Sequence, residues 1–358
     1  MFGKPYFHTP LSVPRHGFMF NKKVPFYTTI LSSLLTCLLG VLLYLQTENN
    51  QELTDLKEQA ESSSQSCSYK LGRLGGYKYV SPLMFAEPAC ESPSLQAIKS
   101  QLVQLAGEYR SQGLINSAGI YLREFKSGSW ISIGEEQKHS PGSLMKIPEL
   151  ITFYKMNEKN PGYLNTRVKY DVALPSNKNI HFVSKSIELG KTYTIRELLR
   201  YMVEYSDNNA TNLLNQQIDV ATFKKVFTDL GLSEPDWNAN DYPITAREFS
   251  TFMKVLYNAS YLNNEDSESC LDLMRNCEFK EGMRAGIPES CTVVHKFGEG
   301  GADASPDLSE SGIVFASGGT YLLTVMVNGR DMKKLPEAIR TFSSLVYQQM
   351  NGVAVSSL

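Results

Sequence analysis

The stretch Ser143-Leu144-Met145-Lys146 is the strongest indication of fold and chemistry in this chain, because nowhere else does a Ser stand three residues before a Lys. Pro141-Gly142 precedes it as a loop ending and the apolar run Ile147–Tyr154 follows, so Ser143 is predicted at the start of a helix. Side chains at i and i+3 share a helix face, and a partly desolvated Lys146 can act as a base toward the serine hydroxyl. Alone, the spacing also fits an ordinary helix start.

Two further motifs follow along the chain. Ser206-Asp207-Asn208 lies 63 residues beyond Ser143 and, taken alone, is typical of a turn or a helix cap. Lys296-Phe297-Gly298 lies 90 residues after Ser206, directly behind the strand-like run Thr292–His295. A Lys and a small residue on an edge strand can supply a cation for an anionic substrate and a backbone N–H for an oxyanion.

The three motifs in this order resemble those of the serine β-lactamases and penicillin-binding proteins, whose signature is S-x-x-K, S-D-N and K-T-G. The pattern is most similar to the class A β-lactamase-like branch, and the similarity spans about Ser94 to Met350. The resemblance implies a serine hydrolase that opens a β-lactam or a related amide, such as a peptidoglycan-like substrate, through an acyl-enzyme on Ser143. It implies neither a cofactor nor a metal.

The resemblance also implies a role for each matched residue in acylation. Ser143 would be the nucleophile and Lys146 the base that activates it. Ser206 would relay a proton toward the leaving nitrogen, and Asn208 would hydrogen-bond Lys146 and the substrate amide. Asp207 is expected to hold the turn.

The third motif is expected to bind the substrate. Lys296 would set the electrostatics around Ser206 and the substrate carboxylate, and Gly298 is expected beside it in the substrate-binding site. The backbone N–H groups of Ser143 and Glu299 would form the oxyanion hole. Phe297 replaces the hydroxyl residue of the family, and losing that hydrogen bond costs about 1.5–3 kcal/mol, or roughly ten- to a hundred-fold in penicillin carboxylate recognition.

The residue that would hydrolyse the acyl-enzyme is harder to find. Class A enzymes use a Glu on a loop that precedes the start of a helix. In this chain, Thr245-Ala246-Arg247-Glu248 resembles that helix start. Glu234-Pro235-Asp236-Trp237-Asn238 is similar to the family's E-P-x-x-N, which makes Glu234 the candidate water-activating base; the alternative is an exposed loop acid. Without such a base the enzyme would acylate and stall, as a carboxypeptidase, a transpeptidase or a sensor does.

Periodicity predicts an α+β fold, with an antiparallel sheet flanked by helices and a mostly helical lobe. Apolar residues at spacings of three and four mark helices at Leu95–Leu105 and Ile339–Met350. Hairpin turns are predicted at Lys126-Ser127-Gly128 and Ser317-Gly318-Gly319, and the middle, Leu144–Tyr257, is predicted to be mostly helical.

The N-terminal part predicts a membrane anchor. Residues 24–45 are 22 residues without a charged side chain, enough for a helix to cross a hydrocarbon core of about 30 Å. Basic residues precede this run and acidic residues follow it, so residues 1–23 are expected in the cytoplasm and the rest outside. The alternatives are a cleaved signal peptide and a buried helix. Residues 46–76 are predicted as a polar linker, 77–350 as the catalytic domain and 351–358 as a tail.

Composition excludes several other classes. Thirty-five Lys and Arg against 37 Asp and Glu give a net charge of -2, which argues against nucleic-acid binding. The five histidines form no H-E-x-x-H pattern or close Cys/His set, so no zinc site is expected. A binding domain that turns over no substrate is the rival from another class, and a purely structural anchor is the weakest option.

Five cysteines follow the predicted anchor. Export permits disulfides, and an odd number leaves at least one thiol unpaired. One bridge is predicted among Cys270, Cys277 and Cys291, and a second between Cys67 and Cys90. The substrate and the oligomeric state stay open at this point.

Overall fold

The computed structural model describes residues 30–31, 34–35, 37–47, 67–173, 180–182 and 184–352. Two compact units are present, Met1–Ser66 and Cys67–Leu358. In the first, residues 37–47 are helical. Within the described ranges no helix combines the length and the apolar character that a membrane crossing requires. The predicted anchor, residues 24–45, lies partly outside these ranges, so it stays a prediction.

The second unit is built on a five-stranded antiparallel sheet. Its strands are β3 (Ser117–Glu124), β4 (Trp130–Ile133), β7 (Thr292–Ala302), β8 (Ser305–Ala316) and β9 (Gly319–Asn328). They lie in the order β4-β3-β9-β8-β7. Both predicted hairpins are therefore confirmed, since β3 pairs with β4 and β8 pairs with β9. Strand β7 is outermost in this order, which leaves one of its edges for the active-site turn.

Helices cover both faces of the sheet, because successive side chains of a strand point to opposite sides. In β9, Leu322 and Met326 belong to one buried core, whereas Leu323, Val325 and Val327 belong to another. The second core includes residues of the first and last helices of this unit, α1 (Gln96–Ser111) and α8 (Leu335–Met350). The first core belongs to the helical lobe. Both terminal helices and the lobe agree with the predicted α+β fold.

Among the described residues, the lobe contains six helices. They are α2 (Lys146–Lys159), α3 (Ile195–Glu204), α4 (Asn208–Asn215), α5 (Val220–Asp229), α6 (Ala246–Tyr257) and α7 (Asn264–Arg275). A two-stranded antiparallel sheet, β5 (Arg167–Lys169) with β6 (Thr192–Thr194), precedes α3. Helix α6 begins at the predicted place, since Thr245 and Glu248 form a capping box that satisfies free backbone N–H groups.

The folded unit begins earlier than predicted. Strand β1 (Tyr69–Arg73) lies inside the stretch predicted as linker and pairs with β2 (Leu83–Pro88). Glu87 of β2 is buried and accepts hydrogen bonds from Lys254 Nζ and Arg123 Nη1, each at 3.2 Å, which anchors this hairpin. The boundary therefore moves from Tyr77 to Cys67. In the sequence, the alternation of apolar and polar residues in β1 is short, and the Ser-rich run before it made the segment look like part of the linker.

The five cysteines after the predicted anchor divide into one bridge and three buried thiols. Cys67 and Cys90 form the predicted disulfide, with Cα atoms 5.9 Å apart. The bridge predicted among Cys270, Cys277 and Cys291 is wrong, because all three are free and buried. Burial raises the pKa of the Cys270 and Cys277 thiols, so both stay protonated and behave as apolar core residues.

Candidate active site

Ser143 lies on a tight turn against the outer edge of β7. It belongs to a 3-10 turn, Gly142–Met145, that continues directly into α2. Gly142 has φ of +51°, and a Cβ there would overlap the backbone of Glu299. A Cβ on Gly298 would likewise overlap the backbone of Pro141 and the turn. Two glycines therefore let the strand and the nucleophile turn approach more closely than other residues would allow.

The segment before Ser143 is held by two acids. His139 Nδ1 lies 3.0 Å from Asp307 Oδ1 of β8, and the Ser140 backbone N–H donates to Asp307 Oδ2 at 3.2 Å. Ser140 Oγ donates to Asp241 Oδ1 at 2.7 Å. The sheet and a distant loop thus fix the approach to the nucleophile together, and neither contact was visible in the sequence.

Lys146 is buried at the first position of α2 and is hydrogen-bonded to the second motif. Its Nζ donates to Ser206 O and Asn208 Oδ1, each at 2.7 Å, and lies 3.2 Å from Ser206 Oγ. Burial and, after it, the positive charge of Lys296 lower the pKa of Lys146 to about 7. A substantial neutral fraction at physiological pH is what a base toward a serine hydroxyl needs.

The second motif is a strained turn capped by its own Asp. Ser206 has φ of +54°, a left-handed conformation that side chains other than glycine rarely adopt. Asp207 caps α4 by accepting from the backbone N–H groups of Asn209 at 3.0 Å and Ala210 at 3.3 Å. It also accepts from the Ile187 N–H at 2.9 Å. Asp207 thus holds the turn, as expected, and directs its two neighbours toward the lysines.

Lys296 reaches the same serine from the sheet. It is fully buried, and its Nζ donates to Ser206 Oγ at 2.9 Å and to its neighbour's carbonyl, Phe297 O, at 2.8 Å. Burial lowers the pKa of Lys296 to about 8. Ser206 Oγ therefore lies between two lysine nitrogens, so the hydroxyl can pass a proton from one side to the other.

The Phe297 ring lies against the Lys296 ammonium group, whose Nζ is 4.1 Å from the ring centroid, and joins an aromatic cluster. Its ring stacks on Phe279, with centroids 4.2 Å apart, and meets Phe182 edge-on at 6.1 Å. The side chain is 5% exposed. The departure from the family motif is therefore a packing residue in this fold, and it offers no hydroxyl to a substrate.

The neighbouring Glu299 binds a loop through its side chain. Its carboxylate accepts from the backbone N–H groups of His181 at 2.8 Å and Phe182 at 3.1 Å. The residue itself lines the same cleft as Ser143. The two residues expected to supply the oxyanion hole thus meet at one cleft.

Glu234 is not in the site. Its side chain is 55% exposed and pairs with Lys224 Nζ at 2.8 Å, and the residue is not part of the cleft lining. Its neighbours Pro235, Asp236 and Trp237 do line the cleft. The expected water-activating role is therefore corrected: the loop passes the site, but the carboxylate points to solvent.

A different carboxylate lines the cleft. Glu149 stands three residues after Lys146, on the first turn of α2, and is 8% exposed. Its Oε2 atom is buried without a hydrogen-bond partner in the described part of the chain. Burial raises the pKa of Glu149 to about 7, although Lys146 opposes the shift. The spacing S-x-x-K-x-x-E was the available signal, and sequence reasoning missed it.

The cleft has a volume of about 760 Å³ and two dissimilar sides. The motif wall comprises Ser143, Lys146, Glu149 and Asn208; the loop wall comprises residues 235–237 and 239–242. Residues 299–302 of β7 also line the cleft. The cleft therefore joins a buried chemical centre to an exposed surface that a substrate can reach.

Residues 98–350 match the profile of the beta-lactamase enzyme family, Beta-lactamase2, which is more than half of the chain. The chain belongs to this family. Beta-lactamase ROB-1 of Haemophilus influenzae is 26% identical over 237 residues, or 61% of this chain and 73% of that protein. The ROB-1 proteins of Mannheimia haemolytica and Actinobacillus pleuropneumoniae match to the same extent.

Solved structures agree on the fold. PBP-A superposes with a TM-score of 0.62 at 23% identity, covering 73% of this chain and 98% of PBP-A. A class A β-lactamase from Mycobacterium abscessus superposes with a TM-score of 0.58 at 18% identity, covering 70% of this chain and 98% of that one. With the family match, these findings make the protein a class A β-lactamase-like serine hydrolase.

Proposed function

We propose that the protein attacks the carbonyl of a β-lactam or a related amide with Ser143 and then hydrolyses the acyl-enzyme. The observation that carries this proposal is the position of Ser206 Oγ, which lies 3.2 Å from Lys146 Nζ and 2.9 Å from Lys296 Nζ. A further PBP-A structure, of a mutant, is an acyl-enzyme complex with penicillin-G. A penicillin is therefore the first probe.

Acylation follows from these contacts. Neutral Lys146 takes the proton of Ser143 Oγ while Oγ bonds to the substrate carbonyl carbon. The backbone N–H groups of Ser143 and Glu299 hold the resulting oxyanion. The C–N bond then breaks, and Ser206 passes the proton from Lys146 to the leaving nitrogen. Lys296 keeps the Ser206 hydroxyl oriented and attracts the substrate carboxylate.

Intact-mass spectrometry of the full chain mixed with a penicillin, sampled from seconds to hours, tests the proposal. A covalent adduct should form on the wild type and be absent from Ser143→Ala. An adduct that appears and then disappears with turnover indicates a β-lactamase. An absence of any adduct on the wild type would contradict β-lactam acylation.

A second candidate function is a penicillin-binding-type carboxypeptidase or amidase, or an acylated sensor with little turnover. Phe297 favours it, because the substrate carboxylate loses a hydroxyl partner there. Phe297→Thr should raise the efficiency of penicillin acylation by roughly tenfold. It should also lower the melting temperature, since removing a buried aromatic ring costs about 3–5 kcal/mol. An unchanged acylation rate would mean that Phe297 does not limit carboxylate recognition.

We also propose that the protein is anchored in the cell membrane by residues 24–45, with its catalytic domain outside the cytoplasm. The uncharged run and the basic-to-acidic change across it support this placement. Fractionation should find the full chain in membranes after a high-salt wash, and a chain without residues 1–45 should be released.

A further inference from the structure

Two buried polar atoms along the active-site cleft have no hydrogen-bond partner among the residues that the structure describes. Glu149 Oε2, on α2, and Asn215 Oδ1, at the end of α4, are both buried and accept no hydrogen bond from any described residue. Both residues line the cleft that contains Ser143. Buried acceptors are almost always satisfied, by protein or by an ordered water. Each of these two acceptors on the cleft therefore needs a donor that the described residues do not supply, and a water can be that donor.

We propose that Glu149 and Asn215 hold and activate the water that releases the acyl group from Ser143. The proposal rests on the acyl-enzyme proposed above and supplies the base that Glu234 cannot be. Glu149 has the necessary surroundings: it is more than nine-tenths buried, and it stands one helical turn from Lys146 on the face that borders the cleft. Asn215 contributes a neutral acceptor that orients the water without competing for its proton.

The hydrolytic step balances in atoms and charge. The water oxygen bonds to the ester carbonyl carbon while Glu149 accepts one water proton. The tetrahedral intermediate then collapses, the bond between that carbon and Ser143 Oγ breaks, and the proton returns through Lys146 to Oγ. The product is a carboxylic acid, and Ser143 and Glu149 end as they began. No other reactant is consumed.

The charge state of Glu149 makes the step dependent on pH. Its carboxylate must be ionised to accept a proton, and burial raises its pKa to about 7. Lys146 faces it from the same helix, and Lys296 acts on Lys146 from the sheet. The other titratable groups on the cleft are Asp236, Asp241, Tyr242 and Glu299. Deacylation should therefore accelerate as the pH rises toward about 7 and then level off.

The test compares two Glu→Gln changes in the full chain. After a short pulse of penicillin, intact-mass spectrometry follows both the formation of the Ser143 adduct and its decay. Glu149→Gln should still form the adduct, which should then persist at least about 100-fold longer than on the wild type. Asn215→Ala should prolong it about tenfold. Glu234→Gln should decay at the wild-type rate, because its carboxylate lies outside the cleft.

Two further readouts separate chemistry from structure. The rise of the deacylation rate with pH should be lost in Glu149→Gln and partly recovered in Glu149→Asp, which restores a carboxylate. Melting curves show whether each variant is folded, and Glu149→Asp tests the proposal if the Gln variant is not.

Each outcome distinguishes this proposal from the acyl-enzyme itself. Wild-type decay in Glu149→Gln, or a persistent adduct in Glu234→Gln, would overturn the assignment. An adduct that never decays on the wild type would also overturn it while leaving the acyl-enzyme intact. No adduct on the wild type would overturn both.

Discussion

The two sides of the cleft differ in how they are held. On the motif wall, the Lys146 ammonium group alone has three hydrogen-bond contacts, and Lys146 and Glu149 are buried. On the loop wall, Asp236 and Asn240 are exposed, and the side chain of Trp237 is steadied by an edge-on contact with Phe223 at 5.1 Å. On the motif wall, the Lys146 ammonium group and the Asn208 side-chain carbonyl satisfy each other out of water.

This difference separates chemistry from recognition. A buried, mutually satisfied set of lysines can keep lowered pKa values, because water does not restore the charged state. An exposed loop presents a shape and charges that a substrate can contact at little cost in desolvation. We therefore expect changes on the motif wall to slow acylation or deacylation, and changes on the loop wall to alter substrate binding.

The largest effect is expected at Lys146. Lys146→Ala should slow acylation by about 10²- to 10⁴-fold, because the base that activates Ser143 is lost. Lys146→Arg should not rescue the rate, since a guanidinium stays protonated. Rapid-quench mass spectrometry measures the rate. Acylation of the Ala variant at the wild-type rate would remove Lys146 from the mechanism.

The next largest effect is expected from backbone crowding. Gly298→Ala should slow acylation by about 100-fold, because the added Cβ pushes β7 away from the turn that carries Ser143. Gly107→Ala is the matched control: nothing lies within 4 Å of its Cβ, so activity should stay and the helix should gain about 0.5–1 kcal/mol. Equal activity in both variants would show that the close approach at Gly298 is dispensable.

A pH profile gives a smaller effect with a definite sign. Lys146 must be neutral to act as base, so acylation should rise about tenfold per pH unit below about 7. Lys296 must be charged to attract a carboxylate, so the rate should fall as pH rises past about 8. The acylation rate measured from pH 5 to about 10 gives both limbs. A flat profile would contradict the assigned roles.

The smallest effect is expected on the loop wall. Trp237→Ala should raise the concentration of substrate needed for half-maximal acylation about fivefold, since about 1 kcal/mol of contact is lost. The maximal rate should change little. Steady-state kinetics with a chromogenic β-lactam at a series of concentrations measures the half-maximal concentration and the maximal rate. A fall in the maximal rate instead would mean that the loop positions the reacting groups.

Much of this protein could be predicted from local patterns. Both hairpins and the first and last helices of the catalytic unit could be predicted from hydrophobic periodicities of two and 3.6 residues. These periods depend only on whether the local backbone is a strand or a helix. Ser143, Lys146 and Lys296 could be chosen because three short motifs recur in order. Glu234 was the misleading choice, because a motif reports spacing along a loop and not the direction in which a side chain points.

What the sequence by itself determined is the family, the α+β fold and the three motifs around Ser143, since each is written in neighbouring residues. The tertiary structure decided the rest. It placed Glu149 and Asn215 on the same cleft, turned Glu234 to solvent, and kept Cys270 and Cys277 apart as free thiols. The burial of a side chain and its hydrogen-bond partners depend on which distant elements pack together. That packing sets the charge state of the side chain and the direction in which it points.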